Sequence, residues 1–261
     1  MSAKTLSEEN TILRGLVGST AHGTGLDGHE DRDEMGVCIE PPDYVCGLGN
    51  FEQYIFRTQP EGTRSGPGDL DLVVYSLRKF CHLAYKGNPS ILMLMWLPEY
   101  EVKTVLGSQL TEIRSAFVSR EAGWRYLGYL TAQRQGLTGE RNKKVARPEL
   151  VERFGYDTKY AMHALRLGLQ GVEYLTHKRI SIPVQEPHRE YLRSVRRGEV
   201  SLAQVIKYIG YVEAELRDLT ERCSLQADLA TINRYLVEAH HYHWKDRGFK
   251  LLPSALGSLK A

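Results

Sequence analysis

Cysteine is scarce: the 261 residues hold four, Cys38, Cys46, Cys81 and Cys223, and no two form a CxxC pair. That spacing supports neither a disulfide scaffold nor a zinc ribbon, and free thiols suit an intracellular chain. Long apolar runs are missing too. The longest spans residues 91–98, far short of the roughly 20 residues that a membrane helix needs. The opening MSAKTLSEEN lacks the apolar core of a signal peptide. The expectation is a cytoplasmic protein (or, if viral, one acting inside its host cell) with no membrane partner. An excess of one charge is also absent. The formal net charge is +2, so any nucleic-acid surface must be local rather than a bulk property. No internal repeat is present, which excludes a solenoid.

What is there is an ordinary globular mixture, 42% hydrophobic and 25% charged. Such a balance buries a core and excludes disorder along the whole chain. The length allows one large domain or two modest ones. Residues 11–17 read as a helix end or strand and 35–40 as a strand. A Gly/Pro/aromatic-rich excursion over 43–68 holds a hairpin around YIFRT. Residues 69–75 suit a central strand, and a helix follows from Ser76 to the stop Gly87-Asn88-Pro89. Beyond residue 100 the periodicity predicts helices over 105–117, 120–134, 157–170, 201–219 and 224–240, with a basic loop over 136–150 and a short extended piece at 180–182. The predicted fold class is α+β: a small mixed sheet with flanking helices, extended by a helical C-terminal region. The expected division is a catalytic α/β part over 1–100 and a helical substrate-binding part over 101–261.

The chemistry concentrates in two acidic segments. Gly18-Ser19 sits where an apolar run stops, and small residues there let backbone N–H groups approach a phosphate. Asp31 and Asp33 follow, two apart and directly before an apolar strand. On an extended chain, positions i and i+2 share a face. Asp71 opens the next apolar run, a costly place for a charge unless it lies at an edge or holds a metal. Three converging carboxylates suit nucleotide transfer, in which paired Mg²⁺ or Mn²⁺ ions share carboxylate oxygens. Asp69 competes with Asp71 for the third place; Asp71 is preferred because Leu72-Val73-Val74-Tyr75 follows it directly. The plain alternative is a turn or an N-cap, which either motif taken alone would favour.

Basic residues supply the complement. Lys159, His163, Arg166 and Gln170 fall on one helical face, with Asp157 as a plausible N-cap. That stripe suits a triphosphate or a nucleic-acid backbone; a solvated helix face is the plain alternative. Arg141, Lys143, Lys144 and Arg147 make a basic run suited to an acceptor's phosphates, with a solvated basic loop as the plain alternative. Further basic pairs and triplets stand at Lys178-Arg179 and at Arg193, Arg196 and Arg197. Trp124, Tyr126 and Tyr129 offer base stacking, but such spacing more often packs a core. The run His240-His241-Tyr242-His243-Trp244 is too compact for a complete metal site and reads as a terminal helix docking on the domain.

The Gly-Ser, Asp-x-Asp and later Asp together resemble the signature of the DNA polymerase beta-like nucleotidyltransferase superfamily. Further stretches, Tyr75–Phe80, Gly87-Asn88-Pro89, Leu127-Gly128-Tyr129 and Lys159–His163, are similar to predicted bacterial and phage nucleotidyltransferases, some associated with RNA repair. The likeness spans roughly residues 15–200. It implies an enzyme that moves a nucleoside monophosphate from an NTP or dNTP to a hydroxyl, with Asp31, Asp33 and Asp71 as catalytic metal ligands for two ions. It also implies nucleotide contacts from Gly18, Ser19, His22, Lys159, His163 and Arg166. RNA stands first among acceptors, ahead of a protein or small molecule; a non-enzymatic nucleic-acid-binding module on a decayed fold is the rival class. Glu30 stands where many relatives carry Ser, and Glu34 adds a negative group nearby.

Overall fold

The structure is a computed structural model that describes residues 2–26, 31–60, 62–63, 65–140 and 147–248. The first part interleaves helices and strands: α1 (Ala3–Asn10), β1 (Thr11–Leu16), α2 (Gly18–His22), β2 (Arg32–Cys38), α3 (Pro42–Val45), β3 (Gln53–Arg57), β4 (Leu70–Ser76), α4 (Leu77–Tyr85), α5 (Pro89–Leu92) and the two-residue β5 (Val102–Lys103). From there the described residues are helical: α6 (Val105–Glu112), α7 (Arg120–Thr138), α8 (Pro148–Phe154), α9 (Thr158–His177), α10 (His188–Arg196), α11 (Leu202–Arg222) and α12 (Leu229–Asp246). This is the expected α+β sheet with a helical C-terminal region.

The sheet runs β3-β4-β2-β1-β5. Only β2 and β4 pair in parallel; the other neighbours are antiparallel. β2 sits at the centre and its last five residues are all buried. That explains why it reads as a continuous apolar run rather than an alternating one. The parallel register sets Asp33 opposite Asp71, so the two strands deliver their acids at the same level.

Local signals set the helix boundaries. Ser76 caps α4 by accepting from the Lys79 N–H at 3.1 Å, and Asn88 caps α5 through the Ser90 N–H at 3.0 Å. Gly87 ends the turn between them at φ +73°, where a Cβ would lie 2.3 Å from the Ala122 Cα. Asp157 caps α9, accepting from the Lys159 and Tyr160 N–H groups at 3.0 Å each.

Several boundaries depart from the sequence reading. The helix expected over 105–117 gives way at Ile113 to a 3₁₀ turn, Ile113–Phe117. The helix expected from 224 starts at Leu229, because backbone bonds from Arg120 N to Leu225 O (2.9 Å) and Asp228 N to Ala116 O (2.7 Å) hold the preceding residues extended. α7 and α9 outrun their predicted ends, and the sequence reading passed over α1, α8 and the short α10, whose Leu192 and Val195 are buried. The extended piece at 180–182 joins no strand, although Ile180 and Ile182 are buried.

One cluster of buried side chains runs from Ile12 on the sheet to Ala239 on α12. Its helical part packs α7, α9 and α11 together, with the Tyr126 and Tyr174 rings 5.9 Å apart. α12 returns to the first part of the chain. His240 Nε2 meets Glu40 Oε2 at 3.3 Å, His243 Nε2 meets Asn10 Oδ1 at 2.9 Å, and the Trp244 indole donates to the Glu40 carbonyl at 2.7 Å. The histidine run is therefore a docking helix.

Candidate active site

Strand geometry assembles the acids. Asp33 and Asp71 are cross-strand partners, and Asp31 precedes Asp33 by one pleat. Each offers a carboxylate oxygen, and the three oxygens lie within 4.8 Å of one another. All three side chains are half-buried. The set is hard oxygen throughout, the donor chemistry that Mg²⁺ and Mn²⁺ take.

Gly18 makes room for this cluster. The Val17 N–H bonds to the Asp33 carbonyl at 2.9 Å. Gly18 then turns at φ +71°, and a Cβ there would lie 2.1 Å from Asp33 Oδ2. Any side chain would collide with the carboxylate and be strained besides. Ser19 follows on α2 beside the acids. Both residues line a cavity of about 240 Å³ together with His22, Asp33, Asp71, His163 and Arg166. A larger cavity of about 600 Å³ lies between α4 and α12. Its lining includes none of the three acids, so it is not the chemical centre.

The acids differ in environment. Burial, then the charges of Asp31 and Asp71, push Asp33 up to about 6, against the pull of Lys159 and Arg57. Asp71 is held below the usual carboxylate range, first by its hydrogen bond from Arg57, then by those from Ser65 and Gln59. The rival Asp69 is engaged by its own loop, accepting from the Thr58 hydroxyl and the Gly66 N–H at 2.9 Å each. Glu34 is buried and paired with Arg32 (2.6 Å) and Arg14 (3.3 Å). Glu30 lies outside the described residues.

The facing wall comes from α9. Its polar stripe is not a solvated surface. Arg166 is largely buried: Nη1 donates to His22 Nε2 and to Gln170 Oε1 at 2.8 Å each, and Nη2 approaches His163 Nδ1 at 3.5 Å. The Gln170 amide also meets His22 Nδ1 at 3.2 Å, so both His22 nitrogens are engaged within the chain. Burial, then the Arg166 charge, pushes His22 and His163 well below the ordinary imidazole value. Burial lowers Arg166 itself to about 10. No carboxylate among the described residues pairs with it, and its Nε has no hydrogen-bond partner. Such a buried cation is costly.

Lys159 faces the acids from the start of α9. Burial and Arg147 lower its affinity for a proton, while Asp31 and Asp33 raise it. Arg147 pairs with Asp157 at 3.0 Å and lies over the Tyr160 ring. Arg141, Lys143 and Lys144, the rest of that basic run, lie outside the described residues. Arg196 is a cleft residue that the sequence pattern only grouped with its basic neighbours. From α10 it donates to the Thr158 hydroxyl at 3.2 Å, half-buried and close enough to Arg147 and His163 to depress proton binding. Its i+3 spacing from Arg193, which donates to the Gly23 carbonyl at 2.8 Å, was the available signal. Of the stacking candidates, Tyr126 is core, whereas Trp124 and Tyr129 remain about one-third exposed, 38% and 37%.

A parallel strand pair bearing acids at one level, a Gly-Ser turn against them and a helical cation wall define a nucleotidyltransferase-like site of the DNA polymerase beta class. The chain belongs to the RNA repair pathway DNA polymerase beta family, RlaP, whose model matches residues 2–238. Among solved structures, it is similar to a nucleotidyltransferase-like protein from Exiguobacterium sibiricum 255-15 at 12% identity, over 92% of this chain and 79% of that one, with a TM-score of 0.30. That likeness is too loose to bear on the assignment. No curated protein matches the chain. Family, fold and tri-acid cluster together give it a nucleotidyltransferase-like catalytic potential and a site suited to a divalent metal. Among the described residues, no helix is long and apolar enough to cross a membrane.

Proposed function

We propose that the protein transfers a nucleoside monophosphate from an NTP or dNTP to an acceptor hydroxyl, releasing pyrophosphate, and that the acceptor is an RNA end. The observation that carries this reading is the convergence of Asp31, Asp33 and Asp71 beside the cavity that Asp33 and Asp71 line with Gly18, Ser19 and Arg166. Mg²⁺ or Mn²⁺ held there, as two ions, would make an acceptor hydroxyl more acidic and offset charge on the leaving pyrophosphate. Asp31 and Asp33 would hold both ions, and Asp71 mainly the catalytic one, where it would help activate the acceptor. Gly18 and Ser19 offer backbone and hydroxyl donors to the triphosphate. Arg166 supplies it a buried positive charge that no carboxylate of the described chain neutralises. His22, with both nitrogens engaged, holds Arg166 in place rather than reaching a phosphate itself. Lys159 and Arg196 extend the cation wall, with His163 between Lys159 and Arg166 on the same helix face, and Arg147 begins the acceptor side. In this reading residues 1–100 carry the catalysis and 101–261 the substrate contacts.

RNA stands first because the family's description names an RNA repair pathway. The test supplies each labelled NTP with Mg²⁺ or Mn²⁺ and, in turn, RNA, DNA, protein and small-molecule acceptors. Label from the α-phosphate joined to RNA, with pyrophosphate released, is the expected result. Label on protein or a small molecule would replace the acceptor and keep the chemistry. No transfer to any acceptor would favour a nucleic-acid-binding module on a transferase fold.

A further inference from the structure

The chain brings its own cation to the acid cluster. Arg57, the last residue of β3, is the cross-strand partner of Asp71. Its guanidinium grips that carboxylate with two prongs, Nε to Oδ1 at 2.8 Å and Nη2 to Oδ2 at 3.3 Å. Gln59 adds a bond to Oδ1 at 3.0 Å, and the Ser65 hydroxyl adds one to Oδ2 at 2.5 Å. Arg57 Nη2 also donates to Ser65 Oγ at 3.1 Å. Each oxygen of Asp71 therefore already accepts two hydrogen bonds from side chains of β3 and its connection to β4. At Asp33, by contrast, Arg57 and Lys159 act as charges through space. A metal ion can take Asp71 only by displacing these donors, because the same lone pairs serve both. The pair is partly exposed, Arg57 39% and Asp71 23%, so displacement is feasible rather than prohibitive.

We propose that Arg57 is a positioning residue that guards Asp71, so that the ion needing Asp71 binds last and more weakly than the ion held by Asp31 and Asp33. This inference rests on the metal-dependent reading above, and it adds an order of loading that the acid cluster alone does not contain. Arg57 neutralises the third acid until a second divalent ion competes for it. The strand pairing makes the grip intrinsic to the fold: β3 is the sheet's edge strand, and its pairing with β4 fixes Arg57 across from Asp71.

The test titrates the full-length, metal-free protein with Mn²⁺ alone, at about pH 7.5 where carboxylates are ionised, and counts bound ions by the electron paramagnetic resonance of free Mn²⁺. Wild type should show one tighter and one weaker ion. Arg57→Ala should tighten the weaker ion by about five- to tenfold, the scale of losing one competing half-exposed pair, and move the tighter ion less than about twofold. Arg57→Lys, which keeps the charge but loses the fork, should fall between. If Arg57→Ala fails to fold, Ser65→Ala removes one donor from Oδ2 and should tighten the same ion by about twofold. A folded Arg57→Ala or Ser65→Ala that leaves the weaker ion unchanged or weakens it overturns the proposal. The metal reading itself is tested separately by Asp33→Asn. Loss of ions there, with no response to Arg57→Ala, removes the guard alone; full ion binding by Asp33→Asn removes the metal site.

Discussion

The two walls of the cleft are charged oppositely and built differently. The acid wall is made by backbone register: Asp33 and Asp71 face each other because β2 and β4 pair in parallel, and their side chains stay half-exposed. The cation wall is made by side-chain packing: Arg166 is held, largely buried, in a net with His22, Gln170 and His163, on a helix whose other face is core. Register costs little; it leaves Asp31 and Asp33 available to ions and sets Asp71 across from Arg57. Burying a guanidinium without a carboxylate is unfavourable, and an anionic substrate is what offsets it. The contrast teaches that stability and binding are separable on the acid wall and entangled on the cation wall.

Substitutions can break that contrast, and the largest effect falls on the core face of α9. Leu165 is fully buried, so Leu165→Ala should cost about 2–5 kcal/mol by leaving a cavity, read as a lower denaturation midpoint with activity per folded molecule preserved. On the polar face of the same helix, Arg166→Met should raise the KM for NTP by about 10–100-fold, because the triphosphate loses its buried counter-charge. Its stability should hold or rise, since a buried unpaired cation is replaced by an apolar chain of similar length. An unchanged KM would return the net to a purely structural role.

The acid wall should also gain stability when a charge is removed. Asp33 is raised to about 6 in the folded protein from an ordinary value of 3.8. The folded state therefore favours its protonated form, and that contribution is full below 3.8 and lost as pH rises through about 6. Asp33→Asn should accordingly stabilise the metal-free protein at neutral pH by about 1 kcal/mol, discounted for a partly exposed group, or roughly 2–4 °C. The gain should vanish near pH 4. A melting series of both proteins without metal checks the sign. His22 and His163 act oppositely: depressed in the fold, they support stability above the ordinary imidazole range near 6.5 and withdraw it as pH falls. The smallest effect belongs to the rim. Lys159→Ala with Arg196→Ala should flatten the salt dependence of single-stranded RNA binding by about 0.7 for each phosphate no longer neutralised. An unchanged slope would assign both cations to the nucleotide.

The acid wall was legible because its information is local. Gly18-Ser19, Asp31-x-Asp33 and Asp71 each abut an apolar run, and the pleat and strand pairing bring them together without long-range packing detail. The choice of Asp71 over Asp69 was also local, since Asp69 precedes the strand and is taken by Thr58 and Gly66. The stripe Lys159, His163 and Arg166 was visible as periodicity, but its burial was not. Enclosure depends on His22, 144 residues away from Arg166 along the chain. Arg57 and Arg196 escaped for the same reason: one acts through a hairpin register and the other through the packing of α10 on α9. The late start of α12 was hidden because residues 225 and 228 are held extended by bonds to residues 116 and 120.

If the three acids act as one catalytic unit, removing one of them must stop the chemistry, and the most direct measurement is nucleotide transfer by Asp33→Asn against wild type. With Mg²⁺ or Mn²⁺, labelled NTP and the RNA acceptor, wild type should release one pyrophosphate for each monophosphate joined. Asp33→Asn, folded and melting no lower than wild type, should be slower by about three orders of magnitude or more, because a metal ligand is removed while the side chain's shape is kept. A folded Asp33→Asn that transfers at the wild-type rate would contradict a three-acid catalytic centre.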